Sequence, residues 1–208
     1  MIDGHNDLPY AIRLRHGGDL DAIDLEQHQP HVHTDLPRLR AGGVTGQFWA
    51  AFVPSTLPGP QAVSMTLEQI DLIHRMIERY PDTLQLARSA DEVRAATGAG
   101  RITDAGGNPR DVVQYIAHAR EFAQQHARPK ATIDDVVAHV EHIREVAGVD
   151  HIGIGGDYDG CDNLPIGLDD VCGYPKLSAA LAERGWSDDD LDRVRTDNIM
   201  RVLADTQP

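Results

Sequence analysis

The residues best suited to chemistry stand together at the start of the sequence, in Ile2-Asp3-Gly4-His5-Asn6-Asp7-Leu8-Pro9. His5 and Asp7 are two apart, and in an extended strand that spacing sends both side chains to one side with their tips a few ångströms apart. An imidazole nitrogen beside a carboxylate oxygen is a chelating pair for a zinc-like divalent ion. Pro9 cannot continue a regular ladder, so the pair is expected at the C-terminal end of a strand. On spacing alone, a chance surface pattern explains His-x-Asp better than a metal site does.

A second informative stretch is Val149-Asp150-His151-Ile152-Gly153-Ile154-Gly155-Gly156-Asp157-Tyr158-Asp159-Gly160. It reads as a short apolar strand whose glycines admit close neighbours, ending on Asp157 and Asp159. A carboxylate just past a strand's C-terminal end is where α/β enzymes keep catalytic groups, which singles out Asp157. Asp159, before Gly160, reads as a turn former. The run His28, His31 and His33 surrounds Pro30 and polar residues, so it reads as a solvated loop and not as ligands. His118 and His126, each alone, are read the same way.

The intervening elements must position these groups. After Pro9 the sequence reads as polar and irregular. Residues 36–43 predict a short helix closed by glycine, and the apolar, aromatic run 44–53 predicts a buried strand of parallel-sheet type. Thr66 and Gln69 form a capping-box pattern, opening a helix with Leu67, Ile70, Ile73, Ile77 and Tyr80 on its apolar face and Pro81 at its end. A brief strand is expected at 84–87 and a helix at 89–96. Residues 97–109 hold four glycines and little to bury, and read as a linker or seam. Helices follow at 112–125 and 132–146, separated by Arg128-Pro129. The second has Thr132 as cap, a stripe of Ile133, Val136, Val137, Val140, Ile143 and Val146, and Gly148 as stop. Residues 175–184 and 187–204 predict closing helices, the latter opened by Ser187 and three aspartates that suit the helix dipole. Strands alternating with helices predict an α/β fold with a parallel sheet.

Composition bounds the partners. The chain has 208 residues, 41% hydrophobic and 25% charged, which fits one soluble domain over 1–208 with a seam near 103–110. A net charge of -14 repels nucleic acid and anionic membrane alike. Cys161 and Cys172 are too few for a disulfide framework and are expected reduced. With no leader-like start and no stretch approaching 18 apolar residues, the sequence suggests a cytoplasmic protein without an anchor.

Several stretches, in order, resemble the membrane (renal) dipeptidase family of zinc metallopeptidases. They are Ile2 to Pro9, His-Thr-Asp-Leu-Pro-Arg-Leu-Arg-Ala-Gly-Gly-Val at 33–44, Gln-Phe-Trp at 47–49, Asp-His-Ile-Gly-Ile-Gly-Gly-Asp-Tyr-Asp-Gly at 150–160, Gly-Leu-Asp-Asp-Val at 167–171, Tyr-Pro at 174–175 and Asp-Asn at 197–198. The resemblance implies a (β/α)8 barrel of the metal-dependent hydrolase kind. It implies zinc, two ions per site in the family, and hydrolysis of dipeptides, including those with a C-terminal D-residue. It further implies that His5 and Asp7 are ligands of the first zinc, and that Asp157 binds the substrate's amino group or relays a proton.

The departure is as informative. In the resembling family a bridging glutamate follows the segment matched by Gly100-Arg101-Ile102, whereas this chain continues Thr103-Asp104-Ala105-Gly106-Gly107. The motifs for the second zinc's two histidines, the carbonyl-polarising histidine and the carboxylate-binding arginine have no match. A complete eight-unit barrel typically needs about 250 residues. The sequence therefore predicts an incomplete barrel with at most one partial metal site, and either self-association to cover open strand edges or poor stability. The alternative is a non-catalytic family member that binds a metal or a partner.

Overall fold

Four short strands pair into one parallel sheet in the computed structural model, which describes residues 1–104 and 130–206. They are β1 (Ile2–Asn6), β2 (Gly46–Trp49), β3 (Leu84–Leu86) and β4 (Ile102–Asp104), in the spatial order β1-β2-β4-β3. Parallel strands need crossover connections. These are supplied by α1 (Leu8–His16) and α2 (Leu36–Ala41) after β1, α3 (Gly59–Arg79) after β2, and α4 (Ala90–Gly98) after β3.

The far end of the chain extends the sheet on the other side of β1. Gly4 N–H donates to Ile154 O at 2.8 Å, Asp157 N–H to His5 O at 3.0 Å, and Asp7 N–H to Tyr158 O at 2.8 Å. Asn6 and Tyr158 form a parallel bridge. The result is an open, incomplete (β/α) barrel whose first strand lies between β2 and residues 154–158. Beyond α5 (Ile133–Ala147) come α6 (Tyr174–Glu183), α7 (Asp188–Asp192) and α8 (Asn198–Asp205).

Three apolar clusters hold these layers. The largest joins Leu8, Ile12, Leu36, Leu39, Trp49, Leu72 and Met76 to Tyr158 and Tyr174, so α1, α2 and α3 pack against the site strands. A second gathers Val137, Val140, Leu177, Leu181, Trp186 and Leu191 around α5, α6 and α7. A small third cluster sets Ile2 against Ala90, Val93 and Met200 of α4 and α8. Asn198 stitches α8 to the strand entering the site, its Nδ2 donating to Val149 O at 2.7 Å and Ile152 O at 2.9 Å.

Several expectations need correction. The residues after Pro9 are not irregular but form α1: Pro9 sits in the first turn, Leu8, Ala11 and Ile12 are buried, and Gly17 closes the helix at φ 62°. α3 begins at Gly59 and not at Thr66, whose Oγ1 instead donates back to Ala62 O at 2.8 Å. Prolines at 58 and 60 set that earlier start, and the buried side is Gln69, Leu72, Ile73 and Met76, with Leu67 and Ile70 facing out. The strand expected over 44–53 is confined to Gly46–Trp49. Part of the expected linker is β4, which pairs on both sides because Ile102 N–H donates to Thr83 O at 2.7 Å and Thr103 N–H to Thr45 O at 3.2 Å. On α5 only Val137 and Val140 of the stripe are buried, Ile133 and Val136 are partly so, and Ile143 and Val146 are exposed. Where a strand is expected within 149–160, the chain makes a 3-10 turn, Val149–His151, and then an extended segment that meets β1 through the single bridge of Asn6 with Tyr158, not a regular strand. A π-helical turn, Arg193–Asp197, separates α7 from α8 where one helix is expected. The helix at 112–125, the Arg128-Pro129 break, His118, His126 and the seam beyond Asp104 lie outside the described residues.

Among the described residues no helix is long and apolar enough to cross a membrane. Asn198→Ala removes the side-chain donor from the buried Ile152 carbonyl and leaves the part-buried Val149 carbonyl with Ile152 N–H alone, at 3.3 Å, and such a loss costs about 2 kcal/mol. A urea titration followed by circular dichroism is expected to show the lower midpoint with an unchanged slope.

Candidate metal centre

β1 carries an irregularity where the chemistry sits. Asp3 pairs with Gln47 and Asn6 with Trp49, so β1 has one residue more than β2 over this interval. Such a bulge re-aims side chains. His5 Nε2 lies 3.1 Å from Asp7 Oδ2 and 3.4 Å from Asp157 Oδ1. One ligand atom from each of the three residues lies within 4.8 Å of the others, and this is the one such group among the described residues. The two ends of the chain thus bring together the three residues singled out in the sequence.

Asp7 is buried at the entrance to α1, whereas His5 and Asp157 are half exposed. Asp157 occupies the left-handed region, φ 49°, as does Asp159, φ 67°. Aspartate tolerates this conformation better than most residues. The local charge is strongly negative. The hydrogen bond to Asp7 pulls the His5 pKa up against the opposing effect of burial. Burial, then the hydrogen bond and charge of Asp7, push Asp157 up to about 6. Protons are therefore retained where two carboxylates and an imidazole converge.

Two observations test whether a cation suits this place. Asp7 Oδ1 is buried without a hydrogen-bond partner, a costly state for a carboxylate oxygen that a bound cation would relieve. Gly160 passes so close that a Cβ there would collide with Asp7 Oδ2 and Asp157 Oδ1. The missing side chain leaves room between the two carboxylates. One nitrogen and two oxygens are a donor set that suits zinc with water completing the shell. The residues fit a divalent ion.

The remaining candidates have other partners. Asp159 is more than a turn former, because its buried carboxylate accepts from His33 N–H at 2.7 Å while its own N–H donates to His33 Nδ1 at 3.0 Å. This reciprocal pair joins the loop before α2 to the turn after Asp157, so His33 is not merely solvated. Thr34 Oγ1 accepts from Asn6 Nδ2 at 2.9 Å and also bonds Asp159, tying the same loop to β1. His28 lies 3.5 Å from Asp35 and does not join the cluster. Cys161 and Cys172 are free thiols, and burial pushes the Cys161 pKa up to about 11.

The family profile described as membrane dipeptidase, peptidase family M19, matches residues 1–107 and 110–208. This chain belongs to that family. Dipeptidase verJ of Clonostachys rogersoniana is 27% identical over 323 aligned positions, covering 98% of this chain and 83% of its own length. An uncharacterized dipeptidase of Schizosaccharomyces pombe is 29% identical over 333 positions, with 100% and 81% covered. Both alignments have more positions than this chain has residues, so internal stretches of the relatives lack a counterpart here. Among solved structures, the dipeptidase AC, a metallopeptidase of family M19, superposes with a TM-score of 0.80 at 18% identity, covering 97% of each chain. A metallopeptidase from Rhodobacter sphaeroides liganded with a phosphinate mimic of L-Ala-D-Ala gives 0.78 at 17% identity, covering 99% of each. These superpositions establish the barrel-type fold, and family membership makes the chain, at family level, a dipeptide hydrolase of the metallopeptidase kind.

Sequence reasoning passed over Gly160, His33 and Thr34. Gly160 acts through the lack of a side chain, and His33 and Thr34 through partners far along the chain, which residue type alone does not reveal. Gly160→Ala is expected to force the Asp7 and Asp157 carboxylates apart and to abolish zinc uptake measured by competition with a chromogenic chelator. The metal-free protein is also expected to lose stability as pH rises from about 4 to about 7. An acid whose folded pKa is raised binds more protons folded than unfolded, so its contribution fades as pH climbs through that folded value, about 6 for Asp157. The raised His5 pKa acts in the same direction. Melting temperatures in chelator should fall across this window, and by less in Asp157→Asn.

Proposed function

We propose that this chain hydrolyses dipeptides with one zinc-like ion held by His5 and Asp7, and with Asp157 beside it as proton relay or anchor for the substrate's amino group. The observation that carries this reading is the convergence of His5, Asp7 and Asp157 at one sheet edge, in a family of dipeptidases. When bound, such an ion polarises a carbonyl oxygen and lowers the pKa of a water.

The chain's own residues supply the rest. His5 offers Nε2 in its neutral form, and the adjoining carboxylates keep the ring turned toward them. Asp7 offers an oxygen from a buried position, which limits its freedom to swing away. Asp157, with a pKa of about 6, takes up and returns a proton near neutral pH, as general acid–base work requires. Its half-exposed, ionised form also attracts an ammonium group through a charge-assisted hydrogen bond. The His33–Asp159 pair fixes the turn that presents it.

One observation favours a second reading, a metal-binding member without turnover. His5, Asp7 and Asp157 are the one metal-capable group among the described residues, and Thr103 and Asp104 continue β4 where the resemblance calls for a bridging glutamate. Metal content per chain, together with amino-acid release from a panel of L,L and L,D dipeptides, separates the two. The expected result is bound zinc with turnover that disappears in His5→Ala. Zinc without turnover above that variant would leave only the second reading standing.

A further inference from the structure

The bulge in β1 leaves the His5 amide without a carbonyl on either neighbouring strand. Gly4 N–H reaches Ile154 O, and Asp7 N–H reaches Tyr158 O, but His5 N–H donates instead to the Asp3 carboxylate, at 3.0 Å to Oδ1. The same oxygen accepts from Gly156 N–H at 3.0 Å, on the segment that carries Asp157. The other oxygen, Oδ2, accepts from Tyr174 O–H at 2.6 Å, at the start of α6. Asp3 is fully buried and is held by these neutral donors, and burial raises its pKa.

A carboxylate enclosed in this way is costly unless every acceptor site is used. Here its donors come from three separate parts of the site: the His5 strand, the Asp157 strand and the first turn of α6. Gly156 is required for the approach, because a Cβ there would run into the Tyr174 hydroxyl and the Tyr158 ring. Tyr158 and Tyr174 pack edge to face, with ring centroids 5.6 Å apart, and keep water from the carboxylate.

We propose that Asp3 is the positioning residue of the metal centre: its carboxylate replaces the missing ladder partner of the bulge and sets His5 against Asp157. Asp3 touches neither metal nor substrate. It acts through the backbone of His5 and Gly156, as outer partners of metal ligands do elsewhere. The assignment rests on reading His5, Asp7 and Asp157 as a metal centre, so the test separates the two.

The test is zinc affinity of the full chain, by competition with a chromogenic chelator, for wild type, Asp3→Ala, Asp3→Asn and Tyr174→Phe. Circular dichroism melting of each variant runs alongside. Asp3→Ala is expected to weaken zinc binding about tenfold or more, the usual effect of losing such a partner. Asp3→Asn, which keeps an oxygen for both amides, restores most of the affinity. A purely structural residue would lower the melting temperature in Asp3→Ala and leave the zinc affinity of the folded protein unchanged, which overturns the assignment. Asp3→Asn as weak as Asp3→Ala overturns it too, since zinc would then be sensing charge and not placement. Should Asp3→Ala fail to fold, Asp3→Asn decides: affinity near that of wild type, with both amides still held, supports the assignment, and affinity lost in the folded variant overturns it. Tyr174→Phe, which leaves both amide contacts, is the control and is expected to bind zinc as wild type does. Wild-type protein that takes up no zinc removes the metal centre and the Asp3 assignment together, whereas zinc bound equally by all four proteins removes only the latter.

Discussion

The parallel backbone pairing between β1 and residues 154–158 is what the rest of the structure depends on. Neither partner bears a complete site. His5 and Asp7 come from one, Asp157 from the other, and the three hydrogen bonds between Gly4, His5, Asp7 and the far segment bring them into reach. The largest apolar cluster covers this seam with Tyr158 and Tyr174, and α8 anchors its lower end through Asn198. Helices α1 and α2 join the same cluster through Leu8, Ile12, Leu36 and Leu39. Packing therefore converts two distant pieces of sequence into one surface on which donor atoms converge.

The same surface concentrates negative charge. Asp3, Asp7, Asp157 and Asp159 stand on or beside the paired segments, and the His5 imidazole lies against two of them. Asp3 is held by neutral donors on both oxygens, which lets it be buried, and Asp159 accepts from His33 N–H through Oδ1. Asp7 keeps one buried oxygen without a partner, and burial, then the neighbouring Asp7, raises the affinity for protons at Asp157. A site that holds protons this firmly without a metal is one in which a divalent cation has a strong electrostatic advantage. The negative balance of the whole chain, -14, adds a long-range field of the same sign.

Much of this was legible in the sequence, and the reasons are specific. The His5–Asp7 spacing and the carboxylates after a glycine-rich apolar run are local patterns, and their meaning follows from strand geometry. The α/β alternation was readable for the same reason, as were the caps at Ser89, Thr132 and Ser187. Elements that depend on distant partners were harder. β4 is only Ile102, Thr103 and Asp104, with nothing in its composition to mark a strand flanked on both sides. α1 escaped because its short apolar face is interleaved with arginines, and only Pro9 and Gly17 mark its ends. Asp3 is the clearest case. An aspartate in a strand carries no signal until Gly156 and Tyr174 are brought to it from the other end of the chain.

Distance along the chain has a consequence for how the molecule comes together. The bond between Asp3 and Gly156 spans 153 residues, and that between Asp3 and Tyr174 spans 171. Contacts of such separation carry a loop-closure penalty that nearby contacts do not, and they slow folding. β1 can pair with β2 early, since only the α1 and α2 region intervenes, but its bulge stays unsupported until the C-terminal half has docked. During that interval the Asp3 carboxylate and the His5 amide remain hydrated. Competence to gather ligands is thus acquired late, as one event with the closing of the sheet, and a chain halted halfway has a first strand but no centre.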